Sequence, residues 1–354
     1  MIRTFDDYLS TFADDNQLIN VIYMYTLGIE TSCDETSVAV LKNLTVLSNL
    51  TISSLKAHKK YGGVVPEIAN RAHLNNIDKV LKLALEEAKV KIEAIDLIAA
   101  TYKPGLIGAL LVGLNFAKAL SVTLKVPFIG VNHLHAHFFS PFLNYKYKLR
   151  FPFLGLVVSG GHTSIYQIEQ IDKIKIIGST QDDACGETLD KVALNYGLGY
   201  PGGKVIDKLF EPRYKNAFKF KCGKKGLNLS FSGIKTALAY KKNELESKKK
   251  RLSLDLKKKL LSSFQFSLVE AIVKTIVEAS KTKEIKRVSC GGGVIANSFL
   301  RDRLKQEQKK ESINFLIPPL EYTQDNGAMV AGLGFYLYNK KGVASSLALA
   351  AGSS

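Results

Sequence analysis

Three of the six histidines in this chain fall within eight residues, Asn132-His133-Leu134-His135-Ala136-His137-Phe138-Phe139. The run follows an apolar stretch of strand character and reads as the start of a helix. On a helix, His133 and His137 share one face about 6 Å apart along the axis. Their imidazoles can then chelate one metal ion through bonds of about 2 Å. His135 points roughly to the opposite face. Metalloproteases of the His-Glu-x-x-His type carry a general-base Glu after the first His. Leu134 stands there, which argues against proteolysis. Two histidines at this spacing are also common structural residues, so a metal needs a third ligand. Asp325, within Tyr322-Thr323-Gln324-Asp325-Asn326-Gly327-Ala328-Met329, is the best candidate. Two histidines and one carboxylate with open positions suit Fe(II) or zinc. The same aspartate could cap the apolar helix that follows it, and the two roles are compatible.

Further polar clusters surround this one in sequence. Leu27-Gly28-Ile29-Glu30-Thr31-Ser32-Cys33-Asp34-Glu35-Thr36-Ser37-Val38 aligns without a gap on Leu154-Gly155-Leu156-Val157-Val158-Ser159-Gly160-Gly161-His162-Thr163-Ser164-Ile165, and five of the twelve positions are identical. Each copy reads as strand, polar turn, strand, so the chain is expected to hold two similar halves, each opening with a hairpin. Backbone N–H groups in such turns can hold phosphate oxygens. Asp34 and Glu35 tilt the first turn towards a metal or an amine, because bare carboxylates repel phosphate. Asp182, Asp183, Glu187 and Asp190 crowd another helix start. Two glycine clusters follow: Tyr200-Pro201-Gly202-Gly203, with Asp207 beyond it, and Gly291-Gly292-Gly293, with Asn297 beyond it. The second resembles a strand–glycine–helix nucleotide site. Neither fits Gly-x-Gly-x-x-Gly or the P-loop.

The elements that must position these residues alternate. Strands are predicted at Thr26–Glu30, Ser37–Leu41, Leu97–Thr101, Phe128–Val131, Leu154–Val158, Ser164–Ile168, Arg287–Cys290 and Phe315–Ile317. Leu74, Ile77, Leu81, Leu85 and Ala88 fall on one helical face, as do Val269, Ile272, Val273, Ile276 and Val277. The alternation argues for an α/β fold with mixed sheets.

The 354 residues carry 46% hydrophobic and 23% charged residues, which excludes a disordered chain. The net charge of +17 is uneven: residues 203–259 hold 18 basic and 5 acidic residues. A polyanion partner fits this balance, RNA better than a membrane, because no apolar anchor accompanies the charge. No apolar run reaches the roughly 18–20 residues of a membrane span, so an integral membrane protein is excluded and no membrane partner is expected. The four cysteines are far apart, without a Cys-x-x-Cys pair, and read as free thiols of a cytoplasmic protein. Residues 1–24 carry Asp6, Asp7, Asp14 and Asp15 against Arg3, unlike a transit peptide. They are expected to be a disordered extension or a start-site artefact.

Taken in order, these segments resemble the TsaD/Gcp/Kae family of tRNA threonylcarbamoyltransferases. The matches run from Gly28–Thr36 through Tyr61–Glu67, Pro104–Leu110, Asn132–His137, Ser159–Thr163 and Asp182–Lys191. They continue through Pro201–Gly203, Ser230–Thr236, Gly292–Asn297 and Asp325–Met329, and the resemblance covers about residues 25–338. It implies an actin-like, sugar-kinase-like ATPase fold with two duplicated subdomains around a nucleotide cleft. The first would span 25–131, completed by 325–354, and the second 132–324. It implies transfer of a threonylcarbamoyl group from threonylcarbamoyl-AMP to the exocyclic amine of the adenosine 3′ of the anticodon in ANN-decoding tRNAs. It places one iron ion, or zinc, on His133, His137 and Asp325. It places the adenylate against Val157, Val158, Ser159, Gly160, Gly161, Asp190, Gly203, Asp207 and Asn297. The partners it implies are tRNA, an inactive paralogue of the same fold (TsaB-like) and a small P-loop ATPase (TsaE-like).

The chain departs from the family pattern in places. Gln324 stands where Thr usually precedes the metal Asp, Leu189 replaces a usual Phe, and the tail 343–354 lacks the usual Pro-Arg ending. Within the implied reaction, Glu35 or Asp34 is the expected base or positioning group for the attacking amine. The basic stretch 203–259 is expected to form part of the tRNA path. The alternative is a carbamoyltransferase acting on a non-tRNA acceptor. A non-catalytic paralogue is disfavoured by the intact histidine pair.

Overall fold

The structure is a computed structural model that describes residues 23–249 and 252–353. The expected extension at 1–24 lies almost wholly outside the described residues. Alternating apolar side chains build strand β1 (Tyr25–Glu30), β2 (Glu35–Lys42) and β3 (Thr45–Ser53), joined antiparallel in sequence. The one-turn helix α1 (Leu55–His58) leads into α2 (Pro66–Ala88). Strand β4 (Leu97–Lys103), helix α3 (Ile107–Leu124) and strand β5 (Phe128–Asn132) follow, with β4 parallel to both β1 and β5. The sheet order is β3-β2-β1-β4-β5.

After helix α4 (His133–Phe139) the pattern repeats. Strands β6 (Phe153–Val158), β7 (Thr163–Gln170) and β8 (Lys173–Ser179) form an antiparallel meander. Helices α5 (Cys185–Asn195) and α6 (Gly203–Leu209), the small hairpin β9 (Gly223–Lys225) and β10 (Asn228–Ser230), then α7 (Ser232–Lys249) and α8 (Leu254–Lys283) come next. Strand β11 (Arg287–Gly291), helix α9 (Ser298–Glu311), strand β12 (Asn314–Leu316) and helix α10 (Gly327–Lys341) complete the order. The second sheet runs β8-β7-β6-β11-β12, with β6, β11 and β12 parallel. From its antiparallel end it repeats the first strand for strand, so the repeat seen in two twelve-residue segments extends to whole sheets.

Among the described residues, three large apolar clusters hold the layers, beside a small one of Ala39, Leu41, Leu143, Tyr322, Ala328 and Ala331. One joins α2 and α3 to the outer face of the first sheet through Leu27, Ile77, Val80, Ile98 and Leu114. A second lies between the two sheets and includes Val131, Phe138, Phe139, Phe153, Val157 and Met329. The third packs α5, α8 and α9 on the second sheet through Leu156, Leu189, Phe264, Ile272 and Leu300. The α8 face expected from the sequence is confirmed, with Val269, Ile272, Val273 and Ile276 buried. The α2 face is rotated: Ala69, His73, Ile77, Val80 and Ala84 are buried while Leu74 is 63% exposed. Polar bonds made by His73 to the turn between β1 and β2 rotate the helix this way.

Two departures concern strands and membrane. Strands β3, β8, β9 and β10 were not predicted; β3 and β8 are the outer strands of their sheets, with few buried positions. By length and composition, Ile107–Leu124 and Leu254–Lys283 could each cross a membrane, against the expectation that no such stretch exists. In the second, 72% of the apolar window is buried inside the protein. Beyond α10 the tail lies along the first sheet: Ser345 N–H donates to Phe128 O (2.7 Å) and Gly352 N–H to Tyr102 O (2.9 Å). Lys118 Nζ donates to Leu349 O (2.6 Å), and Leu349 covers Gly130 so closely that a Cβ there would meet it at 2.1 Å.

Candidate metal and adenylate site

Asn132 ends β5 and caps α4: its Oδ1 accepts from Leu134 N–H (2.9 Å) and His135 N–H (3.1 Å). The cap fixes the helix phase, so His133 and His137 face the same way, with ring centroids 4.6 Å apart. Asp325 arrives from the other side, just before α10. The start of α10 is pressed onto β1 and β2, where a Cβ on Gly28 would stand 2.2 Å from Gly327 O. Asn326, not Asp325, caps α10, accepting from Met329 N–H at 2.9 Å. The two roles that the sequence left together on Asp325 are thus divided between neighbours, and its carboxylate is free to face the histidines.

Asp325 Oδ1 lies 3.1 Å from His137 Nε2 and 3.6 Å from His133 Nε2. One donor atom from each residue lies within 4.8 Å of the others. His133 Nδ1 is 3.0 Å from Glu30 Oε2. Glu30 also accepts from Thr101 Oγ1 (2.6 Å) and Ser32 N–H (2.5 Å). A buried carboxylate on Nδ1 fixes the tautomer with Nε2 turned to the centre, the usual support of a metal-bound histidine. Both nitrogens of His137 are buried; Nδ1 has no hydrogen-bond partner among the described residues, and Nε2 meets only Asp325, at 3.1 Å. A buried imidazole left so is costly unless a cation takes its lone pair. Two nitrogens and an oxygen converging in this way fit iron or zinc.

The charges are strongly coupled. Burial opposes protonation of His133, but Glu30 and Asp325 outweigh it and push it up to about 9. Burial would raise Asp325, yet His133 and His137 bring it down to about 2. His137 is lowered, by burial and then by His133. Glu35 is pushed well above the carboxylate range by burial, then by Asp325 and Asp34. The first hairpin turn borders the histidine–aspartate centre: Ser32 Oγ at its start lies 3.2 Å from His133 Nδ1. It also faces the second half: Asp190 is raised by burial and further by Asp34. Tyr200 is raised by burial, then by Asp190 and Asp34.

The second hairpin turn is tied by Ser159 N–H to His162 O (2.8 Å) and by His162 N–H to Ser159 Oγ (3.1 Å). Gly160 and Gly161 are exposed, and a Cβ on either would meet nothing within 4 Å. Val157 and Val158 bury their side chains in different clusters, so only their backbones can meet a ligand. Gly186 brings the α5 start against the turn: its Cβ would lie 2.7 Å from Ser159 O. Gly291 and Gly292 link the two centres. A Cβ on the first would sit 2.2 Å from His137 O, and one on the second, at φ +96°, 2.4 Å from Val158 O.

Asp190 Oδ1 accepts from Gly202 N–H (2.6 Å) at the α6 start, beside Gly203. Asp207 accepts from Ser298 N–H (2.9 Å), Ser298 Oγ (3.0 Å) and Gln265 Nε2 (3.0 Å). Asn297 Oδ1 caps α9 through Leu300 N–H (2.9 Å). Asp207 and Asn297 thus both engage the start of α9 and are already occupied within the protein. His135 turns away towards Phe138 and Tyr166, at ring distances of 5.3 and 6.0 Å. Sequence reasoning did not single out Glu30, Thr101 or His162. The signal for Glu30 was a lone carboxylate ending an otherwise apolar strand, where an unpaired charge is rare. His162 is held down to about 4 by burial and then by His133 and His137. Of the departures from the family pattern, Gln324 lies against Gly293 and Leu189 is buried in the third cluster.

Known proteins are similar to this chain in sequence or in fold. Residues 45–332 match the sequence model of one family, TsaD: tRNA N6-adenosine threonylcarbamoyltransferase. A protein of that name from Thermosipho africanus is 47% identical over 331 residues, covering 93% of this chain and 98% of its own length. One from Dictyoglomus turgidum is 47% identical over 332 residues, with 93% and 97% covered. Among solved structures, full-length HypF in its phosphate- and nucleotide-bound form superposes with a TM-score of 0.58 at 13% identity. That match covers 90% of this chain and 46% of HypF. Component A of Acidaminococcus fermentans (R)-2-hydroxyglutaryl-CoA dehydratase gives 0.51 at 16%, over 90% of this chain and all of its own. The fold is of the actin-like ATPase type, shared with HypF. The chain belongs to the TsaD family of tRNA N6-adenosine threonylcarbamoyltransferases.

Proposed function

We infer that this chain transfers the threonylcarbamoyl group of threonylcarbamoyl-AMP to the exocyclic amine of the adenosine 3′ of the anticodon in ANN-decoding tRNAs, releasing AMP. The observation that carries this reading is the placement of the His133–His137–Asp325 centre between two hairpin turns, one acidic and one glycine-rich. Iron or zinc would be held by those three residues and would supply a Lewis acid for oxygens of the carbamoyl adenylate. The open backbone of Ser159, Gly160 and Gly161 is suited to the charge that builds on departing AMP. Asp190, Gly203, Asp207 and Asn297 shape the wall on which the adenosine would rest.

The amine must lose a proton as it attacks. Burial and the neighbouring Asp325 and Asp34 favour the protonated form of Glu35, so we assign the acceptor role to Asp34 and a positioning role to Glu35. The exposed lysines Lys215, Lys219, Lys221 and Lys225 belong to the basic stretch proposed as the tRNA path. Within that stretch the side chains of Lys248 and Lys249, and Lys250 itself, lie outside the described residues. A TsaB-like paralogue and a TsaE-like ATPase are the proposed protein partners. A tRNA substrate and four free thiols support a cytoplasmic site of action.

Nucleoside mass spectrometry of tRNA incubated with threonylcarbamoyl-AMP, this protein and those partners tests the reading. Threonylcarbamoyladenosine should form with the native chain and vanish with His133→Ala. No product from a folded, metal-loaded chain with active partners would favour carbamoyl transfer to a non-tRNA acceptor.

A further inference from the structure

Two buried histidines take no part in the centre described above. His73 lies on the inner face of α2. Its Nε2 is 3.0 Å from Cys33 O and its Nδ1 is 2.8 Å from Thr36 Oγ1. A carbonyl only accepts, so Nε2 carries the proton and the Thr36 hydroxyl donates to Nδ1. His58 ends α1. Its Nδ1 accepts from Val65 N–H (3.2 Å), and its Nε2 lies 2.9 Å from Ser54 Oγ. Ser54 spends its own hydroxyl proton on Asp34 O (3.0 Å), and its N–H reaches the same carbonyl (2.9 Å). Nε2 of His58 is therefore also the donor.

These bonds converge on four residues, Cys33 to Thr36. His73 spans the turn from its first carbonyl to its last hydroxyl, while Ser54, itself held by His58, fixes the carbonyl between them. The turn needs such a hold. It brings the carboxyl groups of Asp34 and Glu35 up to the carboxylate of Asp325, and like charge gathered there pushes the turn outward. An apolar residue at position 73 would fill the core equally well and leave the turn free to recoil.

We propose that His73, supported by His58, is a positioning residue that holds the Cys33–Thr36 turn with Asp34 and Glu35 facing the histidine–aspartate centre. The proposal rests on the reading that this turn serves the transfer. Outer helix α2 and the acidic turn are thereby one mechanical unit.

Thr36→Val removes the donor to His73 at nearly constant shape, Thr36→Ser restores it, and His73→Asn removes the ring. Each is assayed with threonylcarbamoyl-AMP, unmodified tRNA and the partner proteins, alongside metal content, Tm and hydrogen exchange of the amides of residues 33–37. Misplacement of a group by about 1 Å can cost on the order of 100-fold. Thr36→Val and His73→Asn should lower kcat roughly 10- to 100-fold at unchanged KM for tRNA and unchanged metal content, with faster exchange in the turn. Thr36→Ser should recover to within about threefold of the native rate. In an Asp34→Asn background, His73→Asn should add less than about twofold, because both act on one group. An unchanged kcat, or a full independent loss in that background, overturns the proposal. If His73→Asn does not fold, the threonine pair decides. A fully active Asp34→Asn chain would sink the role of the acidic turn instead, and unchanged exchange at 33–37 would then overturn the brace itself.

Discussion

A single carboxylate shows how far residue types reach. Glu30 accepts three hydrogen bonds and sets the tautomer of His133. Glu30→Gln should weaken metal retention by about 10- to 100-fold, measured by competition against a chelator, as loss of such supporting partners does elsewhere. Retention equal to native would show that the His133 tautomer is set by other means. The acidic turn gives a second contrast. Asp34→Asn should lower kcat by at least about 100-fold, as loss of a general base does. Glu35→Gln keeps a donor towards Asp34 and should stay within about tenfold; the reverse ranking would move the base to Glu35. His73 brings in pH. Burial holds its imidazole below the ordinary value. The unfolded chain takes up a proton near pH 6.5 that the folded chain refuses, so stability falls as pH drops from about 6.5. The stability difference between the native chain and His73→Gln should narrow from pH 7 to pH 5 in urea unfolding. A constant difference would mean that His73 is not buried neutral. The histidine pair was legible because His133 and His137 lie four apart on one helix. Glu30 and His73 were not, because their partners lie 103 and 40 residues away.

At the scale of elements, the strands that carry the site were readable as short apolar-rich segments, buried along most of their length, and β3 and β8 were not. Their half-exposed faces dilute the apolar pattern, and β pairing depends on context more than on the strand's own residues. Gly292 and Gly160 differ in what they do for these elements. At Gly292 a side chain would strike Val158 O and the φ of +96° would be strained. Gly292→Ala should therefore destabilise the fold by about 1–3 kcal/mol and separate α4 from the second turn. At Gly160 nothing stands in the way. Gly160→Ala should leave Tm unchanged yet weaken adenylate binding, because a methyl group would occupy the backbone's approach to the ligand. Calorimetric melting and ligand titration on the two variants check this; a normal melt for Gly292→Ala would mean that β11 can move away from β6. The rotated face of α2 belongs here as well. Periodicity alone favoured Leu74, but two hydrogen bonds to His73 outweighed one leucine's burial.

For the whole molecule, the duplicated halves were legible from one short repeat because a similar strand–turn–strand segment opens each sheet. The basic stretch was legible as charge and not as a surface. Reversing Lys219, Lys221 and Lys225 together should weaken tRNA binding and lower the slope of log K against log salt by about two to three, roughly one for each phosphate no longer neutralised. An unchanged slope would place the tRNA elsewhere. The tail has a consequence of its own. Strand β5 is the last of its sheet, and Ser345 meets it twice: its N–H donates to Phe128 O, and its hydroxyl accepts from Gly130 N–H at 3.0 Å. Bare strand margins recruit other chains. A chain cut after Lys341 would uncover that margin and the floor beneath Leu349. Its first symptom should be cloudiness on concentration, not a slower enzyme.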